Sequence, residues 1–194
     1  KEVPIFDFRQ ISGSMLEALL ETYRQMRARP SVSIFAEKDA PDRRALDDVV
    51  FDVLGLTSGE REAVYEAVLG RPNASATALR SALTGLAKLR QASTLPLLIS
   101  MIEQRDAASN PEALGALGQL LAEQSPAELK KVRNQLEKFA TQGRELATRQ
   151  LGFAAWIVAD GSGDAAFFAA SRSKNSLRDL LTSVGMVPSA ELRG

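Results

Sequence analysis

Two helix starts in succession, at residues 110–111 and 125–126, constrain the fold of this chain more than any other feature. Asn110 and Ser125 are residue types that favour a helix N-cap, and a proline follows each of them. Pro111 and Pro126 therefore take the first helical position, where the missing N–H of proline removes no hydrogen bond. Apolar residues then recur every three or four positions behind each start. The stretch predicts two helices joined by a short turn.

The same pattern continues on both sides of this pair. Ser75 and Thr94 begin two earlier helices that are rich in leucine and alanine, and Gly143 separates the pair from a further helix. The helix behind Ser125 is predicted to run without a break as far as Phe139. With about 30 to 40 residues per helix pair, residues 71–194 are predicted to form a HEAT-like array of antiparallel helix pairs, and the whole chain is predicted to be all-α.

Residues 1–70 are predicted to form a separate helical segment. An extended lead-in over residues 1–11 precedes three helices, which begin at the capping box of Ser14 and Glu17, at Pro41, and at the capping box of Thr57 with Glu60. Proline and small polar residues at 71–75 mark the boundary with the repeat region. Because the chain begins with lysine, we also expect it to be a fragment or a processed piece of a longer protein.

Composition excludes several kinds of chemistry. The chain has no cysteine and no histidine, so disulfides, thiolate catalysis, haem attachment and the usual proton shuttle are absent. Its 24 basic and 24 acidic residues balance, whereas a nucleic-acid-binding domain usually carries a basic excess. No run of about 18 apolar residues is present to span a membrane. We therefore expect no enzyme activity from this chain, and neither a cofactor nor a small-molecule ligand is evident in it.

Five arginines in the N-terminal segment are the candidate nucleic-acid contacts. They are Arg24, Arg27, Arg29, Arg43 and Arg44. If the first two helices bring them together, they would bind phosphates. Acidic residues lie among them, including Glu21, Asp39, Asp42, Asp47 and Asp48, so ordinary surface ion pairs are the alternative. Paired carboxylates such as Asp47 and Asp48 have no nucleophile or histidine nearby, which argues against catalysis.

Three features of the C-terminal half have both a functional and a structural interpretation. Asp160, Ser162 and Asp164 have the spacing of the first ligands of a calcium loop, but Ala165 and Ser171 replace its glycine and its bidentate glutamate. The structural alternative is a tight turn in which Asp164 caps the next helix. Four aromatic residues would line a ligand pocket or belong to the core, and we expect core; they are Phe153, Trp156, Phe167 and Phe168. We expect a solvated face for the cations of the Ser125 helix, which are Lys130, Lys131, Arg133 and Lys138.

Residues 27–70, with the sequence RARPSVSIFAEKDAPDRRALDDVVFDVLGLTSGEREAVYEAVLG, resemble the C-terminal helical segment of N6-adenine DNA methyltransferases of restriction-modification systems. The resemblance covers a helical tail and not the catalytic motifs of that family. The family's Asn-Pro-Pro-Tyr loop is absent, and the nearest string, at residues 110–112, departs from it at Glu112. The resemblance implies a DNA-binding accessory role and a cytoplasmic location.

Residues 144–194, with the sequence RELATRQLGFAAWIVADGSGDAAFFAASRSKNSLRDLLTSVGMVPSAELRG, resemble the helical-repeat region of planctomycete-type multidomain cytochrome c proteins. The helix pairs from Ser75 onward are similar to the HEAT-like repeats of the same family. This resemblance implies a periplasmic location and a role inside a larger protein, but no haem function, because the Cys-x-x-Cys-His motif is absent.

Two hypotheses of function follow from the sequence. The first is a non-catalytic helical scaffold or protein-interaction module, which stacked helix pairs suit because they present a continuous surface to a partner protein. The alternative is a DNA-binding accessory segment that uses the five arginines. Neither the location of the protein nor its partner follows from the residues themselves.

Overall fold

The all-α fold predicted from the sequence is confirmed. The computed structural model describes residues 11–30, 41–71, 74–109 and 111–193, with the side chains of 41–44, 111–113 and 193 outside the description. These ranges contain eleven α-helices and one 3-10 turn, and no strand occurs among them. None of the described helices combines the length and the hydropathy needed to cross a bilayer. The chain divides into two compact units, Lys1–Glu66 and Ala67–Gly194.

The first unit contains α1 (Gly13–Ala28), α2 (Pro41–Val53) and most of α3 (Ser58–Leu69). The start of α1 differs from the prediction, because Ser12 and not Ser14 is the N-cap. The Ser12 hydroxyl accepts a hydrogen bond from the N–H of Met15, at 3.3 Å, while its own backbone stays extended. Helix α1 packs against α2, yet it contains no fully buried residue. The predicted lead-in at residues 1–10 lies outside the described residues.

A tight connection joins α2 to α3. Gly55 has a positive φ of 65°, which only glycine adopts without strain, so α2 ends there. The predicted capping box of α3 is confirmed, because Glu60 accepts from the N–H of Thr57 at 2.8 Å and the Thr57 hydroxyl accepts from the N–H of Glu60 at 3.3 Å. Arg61 then reaches back to Asp52, with Nη2 and Oδ1 2.6 Å apart. Of these contacts, the ion pair of Arg61 with Asp52 is the one that links α3 to α2.

The second unit contains the remaining helices. They are α4 (Ala76–Leu89), α5 (Thr94–Ala107), α6 (Pro111–Ala122), α7 (Pro126–Lys131), α8 (Arg133–Gln142), α9 (Leu146–Asp160), α10 (Asp164–Ala170) and α11 (Lys174–Val184), followed by a 3-10 turn at Glu191–Arg193. Ser75, Ser125 and Ser173 cap α4, α7 and α11 through their hydroxyl oxygens, as the sequence predicts for the first two. Asn110 lies outside the described residues.

The single long helix predicted behind Ser125 is wrong. The chain forms two helices there, α7 and α8, because the backbone of Val132 leaves the helical region, with φ −112° and ψ 18°. Leu129, Val132 and Leu136 are all buried, and α7 and α8 both pack against α9. The chain therefore contacts α9 on both sides of the break.

Helix α9 is the centre of the second unit. It packs against α6, α7, α8, α10 and α11, and nine of its fifteen residues are buried. Its closest approach is to α8 at Gly152, where an added Cβ would lie 2.4 Å from the backbone N of Ala140 and 2.8 Å from Cβ of Phe139. The HEAT-like order of the helix pairs stays a prediction.

Candidate functional site

Four helices of the second unit, α8 to α11, enclose an open groove of about 800 Å3, hereafter the polar groove. Its lining residues are Arg133, Glu137, Ala140, Thr141, Gln142, Arg149, Trp156, Ala165, Phe168, Ala169, Arg172, Ser173, Asn175, Ser176 and Asp179. Three arginines and two carboxylates belong to this lining. Which of these charges are already paired decides what the groove can bind.

Arg149 and Asp179 form the ion pair that ties α9 to α11. Arg149 Nε lies 2.7 Å from Asp179 Oδ2, and the Asp179 side chain is only 7% exposed. Nη1 of Arg149 also donates to the backbone carbonyls of Gly143 and Arg144, at 3.1 and 2.7 Å. All of these partners belong to the fold, so neither charge of this pair is available to a ligand.

Arg133 is paired in a similar way at the wall formed by α8 and α9. Its guanidinium lies over the ring of Trp156, 4.7 Å from the ring centroid, and it forms an ion pair with Glu137. Its Nε is 3.5 Å from Oδ1 of Asp160, and the Trp156 indole N–H donates to Oδ2 of the same carboxylate at 2.7 Å. The positive charge of Arg133 is therefore compensated twice.

Phe168 and Arg172 form the part of the groove in which a positive charge has no acidic partner among the described residues. The Phe168 side chain is 69% exposed, and the guanidinium of Arg172 lies over its ring at 5.6 Å from the centroid. No carboxylate of the described residues forms an ion pair with Arg172. Arg172 lies two residues beyond the last residue of α10, and Ser171 between them keeps helical backbone angles, so the turn brings the guanidinium over the Phe168 ring. The groove thus presents an exposed aromatic ring beside an unpaired positive charge.

The structure corrects part of the aromatic core predicted from the sequence. Phe153 and Trp156 are buried and stack with ring centroids 6.4 Å apart, which confirms the prediction for them. For Phe167 and Phe168 the prediction is wrong, because both rings are more than half exposed. Helix α10 has only seven residues and buries Ala166 and Ala170, so the adjacent phenylalanines point away from the core.

The predicted calcium-like residues have other partners. Asp160 faces Arg133 and Trp156, as described above. The Ser162 hydroxyl donates to the Asp164 carboxylate at 2.7 Å and accepts from the Asp164 N–H at 3.1 Å. The alternative prediction that Asp164 caps α10 is also wrong, since Gly163 is the N-cap and Asp164 is the first helical residue. In the described ranges no three potential metal ligands come together.

The five predicted nucleic-acid contacts lie in the first unit. Arg24 and Arg27 are exposed near the end of α1, Arg29 is its C-cap, and Nη1 of Arg24 is 3.9 Å from Oε2 of Glu21. Arg43 and Arg44 belong to the first turn of α2, and their side chains lie outside the description. On the Ser125 helix the predicted solvated face holds for Lys130, Lys131 and Lys138, which are exposed, but Arg133 lies in the polar groove.

Sequence reasoning missed the polar groove, although one signal for it is present. Two adjacent phenylalanines lie about 100° apart on a helix, so both rarely reach one core. With Arg172 four residues after Phe168, the sequence already contains the aromatic and cationic pair.

Comparison of the chain with protein families, with curated proteins and with solved structures finds no match in any of the three.

Proposed function

We propose that this chain is a non-catalytic protein-interaction module, and that its polar groove binds an extended acidic segment of a partner protein. The observation that carries the proposal is the pair of Phe168 and Arg172, an exposed ring beside a positive charge that the described residues leave unpaired. Aromatic residues and arginine are enriched among the residues that dominate binding energy in protein interfaces.

The rest of the groove suits a peptide. Gln142 and Asn175 are exposed, and their side-chain amides have no hydrogen-bond partner among the described residues, so they are available to the main chain of an extended segment. An arginine guanidinium binds a carboxylate through two parallel hydrogen bonds. The ion pair of Arg149 with Asp179 joins α9 to α11 in the absence of any ligand, and a groove formed in advance lowers the entropy lost on binding.

Selection from a displayed library of random 12-residue peptides tests this function. Peptides are enriched on the wild-type chain and then measured on two double variants. Phe168→Ala with Arg172→Ala removes the proposed anchor. Phe167→Ala with Arg178→Ala removes an exposed ring and an exposed arginine that do not line the groove, and it serves as the matched control.

We expect the enriched peptides to carry several carboxylates and to bind the anchor variant about 10-fold more weakly or worse, a loss of about 1.4 kcal/mol. The control variant should bind them as the wild type does. If no peptide is enriched, or if the anchor variant retains full affinity, the groove does not have this function.

A second candidate function is a DNA contact made by α1. It is favoured by the exposure of Arg24 and Arg27, which are three residues apart and therefore share a face of α1, and by the resemblance of residues 27–70 to a methyltransferase tail. Fluorescence anisotropy with a labelled DNA duplex at several salt concentrations tests it. Binding at micromolar affinity that weakens with salt and with Arg24→Ala and Arg27→Ala together would support this function over the peptide groove.

A further inference from the structure

A second hollow of the same unit lies between α6 and α9. It has a volume of about 320 Å3, and the sides formed by these two helices consist mainly of glycine, alanine, leucine and valine. The floor includes Leu129, Leu151 and Ala155, all of them buried, and the segment of Met186 and Pro188 forms one edge. None of the described residues in its lining is charged. We refer to it as the apolar cavity.

The helix faces that form this cavity are regular. Gly115, Gly118 and Ala122 lie on one stripe of α6, and Ala147, Leu151 and Ala154 lie on one stripe of α9. An added side chain would have different surroundings at the two glycines. A Cβ at Gly118 would lie 3.3 Å from Cδ1 of Leu151, so close packing favours glycine there. A Cβ at Gly115 would meet nothing within 4 Å.

Gly115 therefore lowers the stability of α6 without a packing reason. A glycine inside a helix costs about 0.5 to 1 kcal/mol relative to alanine. What the missing side chain does provide is open space at the cavity. In addition, Gln119 and Gln150 line the cavity, and neither side-chain amide has a hydrogen-bond partner among the described residues. Gln150 is the less exposed of the two, so the cavity offers apolar walls and a partly buried amide that is available to a ligand.

We propose that the apolar cavity binds a neutral, mainly apolar small molecule of the size of a fused bicyclic ring that carries one hydrogen-bonding group. The absence of charge among the described lining residues favours a neutral ligand, because an ion would lose its hydration without gaining a partner there. An engineered apolar cavity of about 150 Å3 holds benzene, and this one has about twice that volume. Natural ligand sites begin at about 300 Å3. The proposal is independent of the polar groove.

Titration of the 15N-labelled chain with 2-naphthol tests this site by NMR. We expect saturable shifts in the cavity-facing residues of α6 and α9, with a Kd below about 1 mM. The anion 2-naphthoate has the same ring system, and it should bind about 10-fold more weakly or worse because it is charged. Gln150→Leu should weaken 2-naphthol binding about threefold to tenfold, because it removes the hydrogen bond.

Gly115→Leu places a side chain in the open space and should abolish binding of 2-naphthol, while Gly115→Ala, which adds one methyl group, should preserve more of it. Three results would each overturn the site: no saturable shift with 2-naphthol, equal affinity for 2-naphthoate, or unchanged binding by Gly115→Leu. The comparison of 2-naphthol with 2-naphthoate uses the wild-type chain, so it decides the question even if a variant fails to fold.

Discussion

The polar groove and the apolar cavity lie on opposite faces of α9, and they are made in opposite ways. Arg149 and Trp156 of α9 face the groove, whereas Leu151, Ala154 and Val158 face the cavity. The groove is lined by charged side chains that form ion pairs with one another, whereas the cavity is lined largely by glycine and alanine, whose small size leaves it open. The groove therefore depends on residues that also stabilise the fold, whereas the glycine that opens the cavity lowers the stability of the fold. Substitutions in the groove frame should therefore destabilise the protein, and substitutions that fill the cavity should stabilise it.

The largest effect is expected at the crossing of α8 and α9, which forms one wall of the groove. Gly152→Ala should lower the free energy of unfolding by about 3 kcal/mol, because the new Cβ would lie 2.4 Å from the backbone N of Ala140 and the helices must move apart. Urea denaturation followed by circular dichroism measures the change. A variant as stable as the wild type would show that this contact is not close.

The next largest effect is expected at the ion pair of Arg149 and Asp179, which belongs to the lining of the groove. Asp179→Ala should cost about 2 kcal/mol, because it leaves Arg149 half-buried with only the carbonyls of Gly143 and Arg144 as partners. Glu137→Ala, at an exposed pair of the same groove, is the control and should change stability by less than about 1 kcal/mol. Equal losses of unfolding free energy in the two variants would contradict the claim that the buried pair contributes more to stability than the more exposed one.

A smaller loss of stability is expected at low pH from Asp106, which binds the backbone at the start of α9, the helix that lines both the groove and the cavity. Burial opposes ionisation of Asp106, but hydrogen bonds from the backbone N–H groups of Arg144 and Glu145, at 2.9 and 2.8 Å, outweigh it and hold the pKa of Asp106 below the usual range of an aspartate. A carboxyl with a lowered pKa stabilises the fold above its unfolded pKa, and that stability is lost as the pH falls through the folded pKa.

We therefore expect the unfolding free energy of the wild type to fall below about pH 4 more steeply than that of Asp106→Asn. At neutral pH the variant should be less stable by about 1 kcal/mol. Urea titrations at a series of pH values measure both quantities. Parallel pH profiles for the two proteins would refute this role of Asp106.

The smallest effect has the opposite sign and belongs to the cavity. Gly115→Ala should raise the free energy of unfolding by about 0.5 to 1 kcal/mol, since alanine favours the helix and its Cβ meets nothing within 4 Å. Gly118→Ala is the matched control in the same helix, and contact with Leu151 should reduce or cancel its gain. Thermal unfolding of both variants provides the test, and a loss of stability in Gly115→Ala would mean that no open space exists there.

Local signals predicted the helices of this chain well. The capping box of Thr57 with Glu60 and the N-caps at Ser75 and Ser125 involve residues three apart in sequence, so their chemistry is complete within one turn. The break at Val132 was not predictable in this way, because apolar residues continue at helical spacing through it. Both segments contact α9, and a tertiary contact of this kind leaves no local pattern in the sequence.

The candidate site was much less predictable than the helices. The sequence pointed to arginines of the first unit, but the groove combines residues from four helices, and its extremes, Arg133 and Asp179, lie 46 positions apart in the sequence. Leu181 shows the same limit, since it is an apolar residue next to the buried Leu180 in α11 and yet it is 63% exposed. Burial depends on which helices pack together, and a helix as short as α10, with seven residues, gives little periodic signal for that.

The most direct test of the proposed function uses the indole N–H of Trp156, which lines the groove and belongs to the only tryptophan of the chain. Its NMR signal is followed while an acidic peptide from the selection is added to the wild type and to the variant with Phe168→Ala and Arg172→Ala. We expect a saturable shift of this signal in the wild type, little shift in the variant, and none on addition of 2-naphthol. A Trp156 signal that stays in place while the peptide binds, or that moves equally in both proteins, would contradict the proposed function.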